Sequence, residues 1–336
     1  MVGIEMLRVL KQRNFPVNEL RVFARSAREI EVDGQKYQVE AVSPEGFEGV
    51  DIALFAGTEG EKGAAVTYAQ EAIKRGAVVI DNGADFRMDP KVPLVVPEVN
   101  GKDVKKHQGI IANPNCSTIQ MVVALWPIYK KAGIKRIIVT TLQASSGAGK
   151  SAVEQLWNEL DTIVTSHKSQ VTGQYSVVCD MKSEDRSMPQ QLAFNVFPHI
   201  GGFAECDYTS EEWKLVKETH KIMHDDKIKV SATTVRVPVR TGHSESVYIE
   251  TARPISPDEV RKLLAKSPGV IVKDDPGSNL YPMPKDVEGK DETFVGRIRK
   301  DCFVKNGLWL WVVADNLRKG AATNAVQIAE ELISKK

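Results

Sequence analysis

Gly109-Ile110-Ile111-Ala112-Asn113-Pro114-Asn115-Cys116-Ser117-Thr118 reads as a strand, a stop, a cap and the start of a helix. Residues 109–112 form a short apolar run suited to a buried strand, and from 119 to 132 apolar residues recur at helical spacing. Pro114 supplies the stop and Asn115 the cap. Cys116 is thereby set at a helix N-terminus, where the positive end of the dipole favours a thiolate. A buried structural cysteine is the bland alternative. The strand-turn-helix setting favours a nucleophile instead, with His243 as its candidate partner.

Outward from this stretch, short apolar segments alternate with helical ones. Residues 3–12 read as helix, 20–24 as a short strand, 50–55 as a buried strand, 61–75 as helix and 77–80 as a strand. Such alternation predicts a doubly wound parallel sheet. After Cys116 the pattern changes. Residues 134–143 read as a strand ending in Ala144-Ser145-Ser146-Gly147-Ala148-Gly149, followed by a helix running through Trp157. Segments 229–239 and 243–252 alternate and lie only a few residues apart, which predicts an antiparallel pair, and 294–299 and 308–314 add two strands. An α+β domain with a mainly antiparallel sheet and helices on one face follows. The last helix, 320–333, is amphipathic and is expected to pack on the first domain.

A chain of 336 residues, 42% apolar and 26% charged, suits two soluble globular domains. A net charge of +1 gives no long-range field for nucleic acid or an anionic membrane. No apolar run approaches the roughly 20 residues that span a bilayer. The first seven residues carry an acid and do not read as a signal peptide. Cys116, Cys179, Cys206 and Cys302 are scattered, without disulfide or zinc spacing, which points to a reducing, cytoplasmic setting. The six histidines give no HExxH pattern, so no metal site is expected.

In a dinucleotide-binding unit, an acid about 20 residues past the glycine loop holds the ribose 2′-hydroxyl, and a basic residue accommodates a 2′-phosphate. Here strand 20–24 ends in Arg25-Ser26, a cation and a hydroxyl that favour NADP over NAD; an exposed loop arginine is the alternative. The glycine loop and the strand before it are expected ahead of the helix at Gly3, yet the sequence opens at Met1. The pyrophosphate cradle of backbone N–H groups is therefore missing from the expected unit.

Asn113-Pro114-Asn115-Cys116-Ser117-Thr118, Gln143-Ala144-Ser145-Ser146-Gly147-Ala148-Gly149 and His243-Ser244-Glu245-Ser246 together resemble the aspartate-semialdehyde dehydrogenase family. Val95-Val96-Pro97-Glu98-Val99-Asn100, Phe294-Val295-Gly296-Arg297-Ile298-Arg299 and Val313-Ala314-Asp315-Asn316-Leu317 support it. The resemblance runs from Gly3 to the C-terminal helix. It implies an α/β Rossmann-type NADP-binding domain, residues 1–112 completed by 317–336, with its first strand absent here. An α+β catalytic and dimerisation domain over 113–316 accompanies it. A homodimer is implied, acting on small-molecule substrates and inorganic phosphate and binding neither nucleic acid nor membrane. The implied reaction is reversible NADP-dependent reductive dephosphorylation of aspartyl β-phosphate to the semialdehyde, the branch point towards lysine, threonine, methionine and diaminopimelate. The family's Gly-Ala-Thr-Gly-x-Val-Gly loop would end at Met1-Val2-Gly3, making Met1 an internal methionine. Gly83-Ala84-Asp85 departs from the small hydroxylated residues usual in the family.

The resemblance assigns Cys116 as nucleophile and His243 as acid/base. Arg236 takes the substrate α-carboxylate, a bidentate task suited to guanidinium, while Arg240 is read as a surface residue. Gln143 touches the acyl-enzyme and Glu211 the substrate amino group. Arg87, Asn115 and Lys214 bind phosphate, although Glu211 and Lys214, three apart on a helix, also suit a simple ion pair. Gly3, Arg25, Ser26, Ser146, Gly147 and Asn316 are the cofactor positions. Cys179, Cys206 and Cys302 match nothing catalytic and are read as packing residues. Two alternatives stand beside this reading: N-acetyl-γ-glutamyl-phosphate reductase, whose cysteine precedes a Tyr-Pro pair rather than Ser117-Thr118, and a truncated, non-catalytic dimerising chain.

Overall fold

Ile110, Ile111 and Ala112 are all buried and form the strand expected ahead of the cysteine, and the following helix begins at Cys116 itself. The structure is a computed structural model that describes residues 1–57, 63–169 and 187–334. In chain order it runs α1 (Val2–Gln12), β1 (Val22–Ala24), β2 (Arg28–Val32), β3 (Gln35–Ala41), β4 (Ile52–Phe55), α2 (Ala64–Lys74) and β5 (Val78–Asp81). A short α3 (Pro97–Asn100) precedes β6 (Ile110–Ala112), then α4 (Cys116–Ala132), β7 (Ile134–Gln143) and α5 (Lys150–Ser169). Next come α6 (Ser210–Met223), β8 (Lys229–Arg236), β9 (His243–Thr251), α7 (Pro257–Leu264) and β10 (Val270–Val272). The chain closes with a short α8 (Pro284–Val287), β11 (Thr293–Lys300), β12 (Gly307–Ala314) and α9 (Thr323–Ile333).

The chain divides into two units, and the first comprises Val2–Val123, Lys217–Asp225 and Arg318–Lys336. Its parallel sheet has the order β4-β5-β6, with Ile52 beside Val78 and Val79 beside Ile110. On this sheet the apolar stripe of α1 meets that of α9. Met6, Val9 and Leu10 share a core with Ile80, Ile111, Val326 and Ile328. The last helix opens with a π-helical turn at Arg318–Ala322 and is α-helical from Thr323. A second sheet, β1-β3-β2, contains a hairpin absent from the expectations above. It turns at Asp33-Gly34, both with positive φ (50° and 77°), the geometry an Asp-Gly pair favours in a two-residue hairpin. The helix expected over 61–75 is described as Ala64–Lys74, and residues 61 and 62 lie outside the described residues.

The second unit comprises Ala124–Val216 and Asp226–Leu317. Its six strands have the order β10-β11-β12-β9-β7-β8. The three inner pairings, β11 with β12, β12 with β9 and β9 with β7, are antiparallel, so the sheet is mainly antiparallel as expected. The outer pairings, β10 with β11 and β7 with β8, are parallel. The antiparallel pair expected between 229–239 and 243–252 does not form. β7 lies between them, and β8 stops at Arg236 ahead of Val237-Pro238-Val239. Alternation marks a strand but carries no information on its partner, and Pro238 has no N–H to extend the ladder. Val237 instead donates to Gln143 O, and Val239 O accepts from Ser145, which ties this segment to the end of β7.

Among the described residues no helix is long and apolar enough to cross a membrane. Cys206 and Cys302 are exposed rather than packed, and Cys179 lies outside the described residues. Cys206 lies in a short 3-10 turn, Glu205–Asp207, and Cys302 in the segment between β11 and β12.

Candidate active site

The nucleophile candidate is fixed from its own turn. Asn115 Oδ1 accepts the N–H groups of Ser117 and Thr118 at 3.0 and 3.3 Å, and Ile119 N–H bonds Asn115 O at 2.9 Å. Asn115 is therefore the N-cap and Cys116 the first helical residue, a partly exposed thiol outside any disulfide. Asn113, one residue past β6, is held on three sides. Its N–H reaches Asp81 O at 2.7 Å, its amide reaches Asn82 Oδ1 at 2.9 Å, and its Oδ1 accepts from Asn324 at 2.7 Å.

Arg87 is buried in the same unit. Its guanidinium donates to Asn113 O (2.9 Å), Asn82 O (2.7 Å) and Glu218 Oε1 (3.1 Å). Glu218 Oε2 accepts the Asn115 N–H at 2.7 Å, so the two expected phosphate residues, Arg87 and Asn115, share one carboxylate. Lys221, one turn further along α6, donates to the carbonyls of Arg87, Asp89 and Val92 at 2.7, 2.7 and 2.8 Å. Neither Glu218 nor Lys221 was expected from the sequence; nothing in a helical KETHK segment announces a partner 131 positions away.

The other candidates gather on one end of the second unit's sheet. Gln143 ends β7 directly beside Arg236, which ends β8, and His243 begins β9. Ala144 N–H donates to His243 Nδ1 at 3.1 Å, and Arg236 Nη1 donates to Ala144 O at 2.6 Å. With Nδ1 accepting, the neutral imidazole carries its proton on Nε2. Burial holds the His243 pKa well below its ordinary value, and the Arg236 charge pushes the same way. Gly147 is glycine for want of space: a Cβ there would lie 3.1 Å from His243 Nε2 and 3.2 Å from Arg236 Nη1. The expected cofactor residue Gly147 thus packs on the two expected chemical residues.

Gln143 Nε2 donates to Glu211 Oε1 at 3.1 Å, and Lys214 Nζ stands 3.4 Å from Glu211 Oε2. Glu211 therefore makes the intrahelical ion pair and also accepts from Gln143, a contact the sequence did not suggest. Glu211 is aimed by its neighbour. Thr209 and Glu212 form a reciprocal cap, with Glu212 N–H on Thr209 Oγ1 (3.3 Å) and Thr209 N–H on Glu212 Oε2 (2.7 Å). Glu212 Oε1 also takes the Thr234 N–H at 3.0 Å, pinning the start of α6 to β8. The Thr-x-x-Glu spacing carried that signal in the sequence. Arg240, expected at the surface, is exposed and pairs with Glu288.

Ser146 and Asn316, expected at the cofactor, are buried and bonded to each other, with Asn316 Nδ2 donating to Ser146 Oγ at 2.9 Å. In the first unit, Gly3 sits in the first turn of α1, and a Cβ on it would lie 3.5 Å from Ala56, just past β4. Gly57 (φ +81°) stands so close to Asn82 that a Cβ would meet its carbonyl carbon at 3.3 Å. Strand ends and a helix start thus leave a glycine-lined edge, the kind of surface on which a dinucleotide backbone lies. Arg25 and Ser26 follow β1 and are exposed, and Arg25 makes no ion pair among the described residues.

The sequence matches the family description "Semialdehyde dehydrogenase, NAD binding domain" over residues 1–107 and "Semialdehyde dehydrogenase, dimerisation domain" over 125–319. An aspartate-semialdehyde dehydrogenase of Aquifex aeolicus is 55% identical, covering 99% of this chain and 95% of its own. The crystal structure of aspartate semialdehyde dehydrogenase II from Vibrio cholerae, complexed with ASA, superposes with a TM-score of 0.88 at 43% identity, covering 99% of this chain and 95% of that one. The aspartate semialdehyde dehydrogenase of Candida albicans, solved with NADP, gives 0.68 at 25% identity over 98% and 95% of the two chains. A nucleotide-binding unit, a dimerisation unit and a capped cysteine accompany this likeness along nearly the full sequence, and the chain belongs to the aspartate-semialdehyde dehydrogenase family of oxidoreductases.

Proposed function

We propose that the enzyme catalyses reversible, NADP-dependent reductive dephosphorylation of L-aspartyl 4-phosphate to L-aspartate 4-semialdehyde through a thioester on Cys116. The observation that carries this reading is the Asn115 cap, which makes the partly exposed Cys116 thiol the first residue of α4. The Cys116 thiolate attacks the acyl carbon, the bond from that carbon to the phosphate oxygen breaks, and inorganic phosphate leaves. NADPH, when bound, supplies the hydride that reduces the thioester carbonyl. The resulting thiohemiacetal oxygen develops negative charge, then reforms C=O as Cys116 departs with its electron pair.

His243 is the acid/base of this cycle. Its Nε2–H, with Nδ1 held by Ala144, donates to that oxygen and takes the proton up again as the aldehyde forms. Arg236 grips the α-carboxylate, Glu211 receives the amino group and Gln143 orients the acyl group. Arg87, Asn115 and Lys214 serve the phosphate. The glycine-lined edge at Gly3 suits the cofactor, and the exposed Arg25 with Ser26 suits a 2′-phosphate; the NADP held by the Candida albicans enzyme supports that choice. Ser146, Gly147 and Asn316 complete the cofactor contacts. Residues 1–112 with 317–336 form the NADP domain and 113–316 the catalytic domain of a cytoplasmic homodimer serving lysine, threonine, methionine, isoleucine and diaminopimelate synthesis.

The test is phosphate-dependent reduction of NADP by the semialdehyde, run on wild type and Cys116→Ala. Loss of turnover in the variant, together with a covalent acyl adduct on the wild-type Cys116 peptide, is expected. Turnover at the wild-type rate in Cys116→Ala removes the thioester.

A further inference from the structure

We propose that Glu218 is a positioning residue for this reaction, a carboxylate that completes the cap of the Cys116 helix from the far side of the sequence. The inference rests on the reading of Cys116 as nucleophile. In a local capping box the N-cap residue's own N–H is received by an acid or amide at the third helical position. Here that position is Thr118, a buried residue whose hydroxyl has no hydrogen-bond partner among the described residues. Glu218, 103 positions away and 1% exposed, does the work instead, with Oε2 on the Asn115 N–H at 2.7 Å.

The second oxygen of the same carboxylate ties in Arg87. The Arg87 guanidinium is already set by the carbonyls of Asn82 and Asn113, and its charge is balanced by Glu218 Oε1 at 3.1 Å. The Arg87 backbone is fixed in turn by Lys221. One buried carboxylate therefore holds the turn before the thiol on one arm and a cation of the proposed phosphate site on the other. Glutamine at 218 would offer a single oxygen to two donors and bring an N–H₂ against one of them. The charge facing Arg87 would vanish too.

The experiment uses the full-length enzyme with Glu218→Gln and Glu218→Asp. Readouts are kcat, the KM for semialdehyde and the pH profile of iodoacetamide labelling, followed on the Cys116 peptide by mass spectrometry. Glu218→Gln is expected to lower kcat about tenfold or more while the semialdehyde KM stays near wild type, as small misplacements of a nucleophile do. Its labelling midpoint moves down by roughly half a pH unit, because a negative charge has left the neighbourhood of the thiol. Glu218→Asp keeps the charge but shortens the reach, so its midpoint stays in place while kcat falls. A general loss of folding lowers the active fraction without moving the midpoint of the folded remainder.

A folded Glu218→Gln with wild-type kcat and labelling overturns the proposal. Should that variant not fold, wild-type kcat in folded Glu218→Asp overturns it equally. Failure of both to fold does the same, because Glu218 would then be only a fold-holding ion pair. Cys116→Ala separates the two readings. If that variant turns over, the nucleophile assignment fails; if it is inactive while Glu218→Gln is unaffected, only the role of Glu218 falls.

Discussion

Asn316 Oδ1 accepts the backbone N–H of Gly242 at 2.9 Å, and so fixes the residue immediately before His243. The same side chain donates to Ser146 Oγ at 2.9 Å, joining the turn before β9 to the loop after β7. Asn316→Leu leaves the buried Gly242 N–H without an acceptor, a loss of about 1–3 kcal/mol. Asn316→Asp keeps that acceptor and loses only the donor to Ser146. Kinetics and urea denaturation should rank wild type, Asn316→Asp and Asn316→Leu in that order; equal damage from both substitutions would detach Gly242 from the effect.

Gly147→Ala tests the crowding around His243. The added methyl would sit 3.1 Å from the imidazole and 3.2 Å from the Arg236 guanidinium, so both must shift. We expect kcat to fall by roughly tenfold or more for a displacement of tenths of an ångström, with thermal stability changed little. An unaltered kcat would mean that the loop yields instead.

His243 also sets a pH dependence of stability. Burial, helped by Arg236, keeps its folded-state pKa well below that of the unfolded chain, about 6.5. Below that pH the unfolded chain takes up a proton that the folded protein refuses. The stability contribution is complete above about pH 6.5 and is lost as pH falls towards the folded-state pKa. Urea midpoints between pH 8 and 5 should fall on the acid side, and His243→Asn should flatten that slope. Parallel slopes would assign the acid lability to another group.

Lys319 is fully buried, with its Nζ on both Glu98 oxygens at 2.8 and 2.7 Å and on Asn324 and Gln327 at 3.0 and 2.6 Å. Burial works to raise the Glu98 pKa, but the Lys319 charge and hydrogen bond outweigh it and hold the carboxyl below its ordinary value. Lys319→Met strands that carboxylate and should cost about 3–5 kcal/mol. Adding Glu98→Leu should restore much of the loss, and a double variant as unstable as the sum of the singles would refute the pairing.

For cofactor choice, Arg25→Ala is expected to raise the KM for NADP about tenfold or more while leaving that for NAD near wild type, as loss of a phosphate contact does. Equal effects on the two nucleotides would remove Arg25 from the 2′-phosphate.

Where one segment carried its own signal, the sequence was readable. The turn at Asn113-Pro114-Asn115 announces both the end of β6 and the start of α4, because a stop and a cap act within a few residues. Asp33-Gly34 carries a hairpin signal of the same local kind, and Thr209-Glu212 a cap signal in its spacing, though neither was among the expectations above. Partners are a different matter. The period of residues 229–236 marks β8 but cannot say that it lies against β7, since register is settled between strands and not within one. Glu218 shows the same limit at the site. Its neighbours on α6 define a helix face, while the Asn115 N–H it receives arrives through packing of the whole first unit.

The parallel seating of β8 against β7 has a consequence for how the enzyme is born. Arg236 reaches Ala144 across 92 residues of sequence, so this corner of the sheet closes only after a long loop has been drawn in. Contacts of such separation are made slowly. During synthesis from the N-terminus, Cys116 and its Asn115 cap leave the ribosome well before α6, β8 and β9 exist. The chain therefore passes through an interval in which the cysteine proposed as nucleophile is already made and the residues proposed to act with it are still to come.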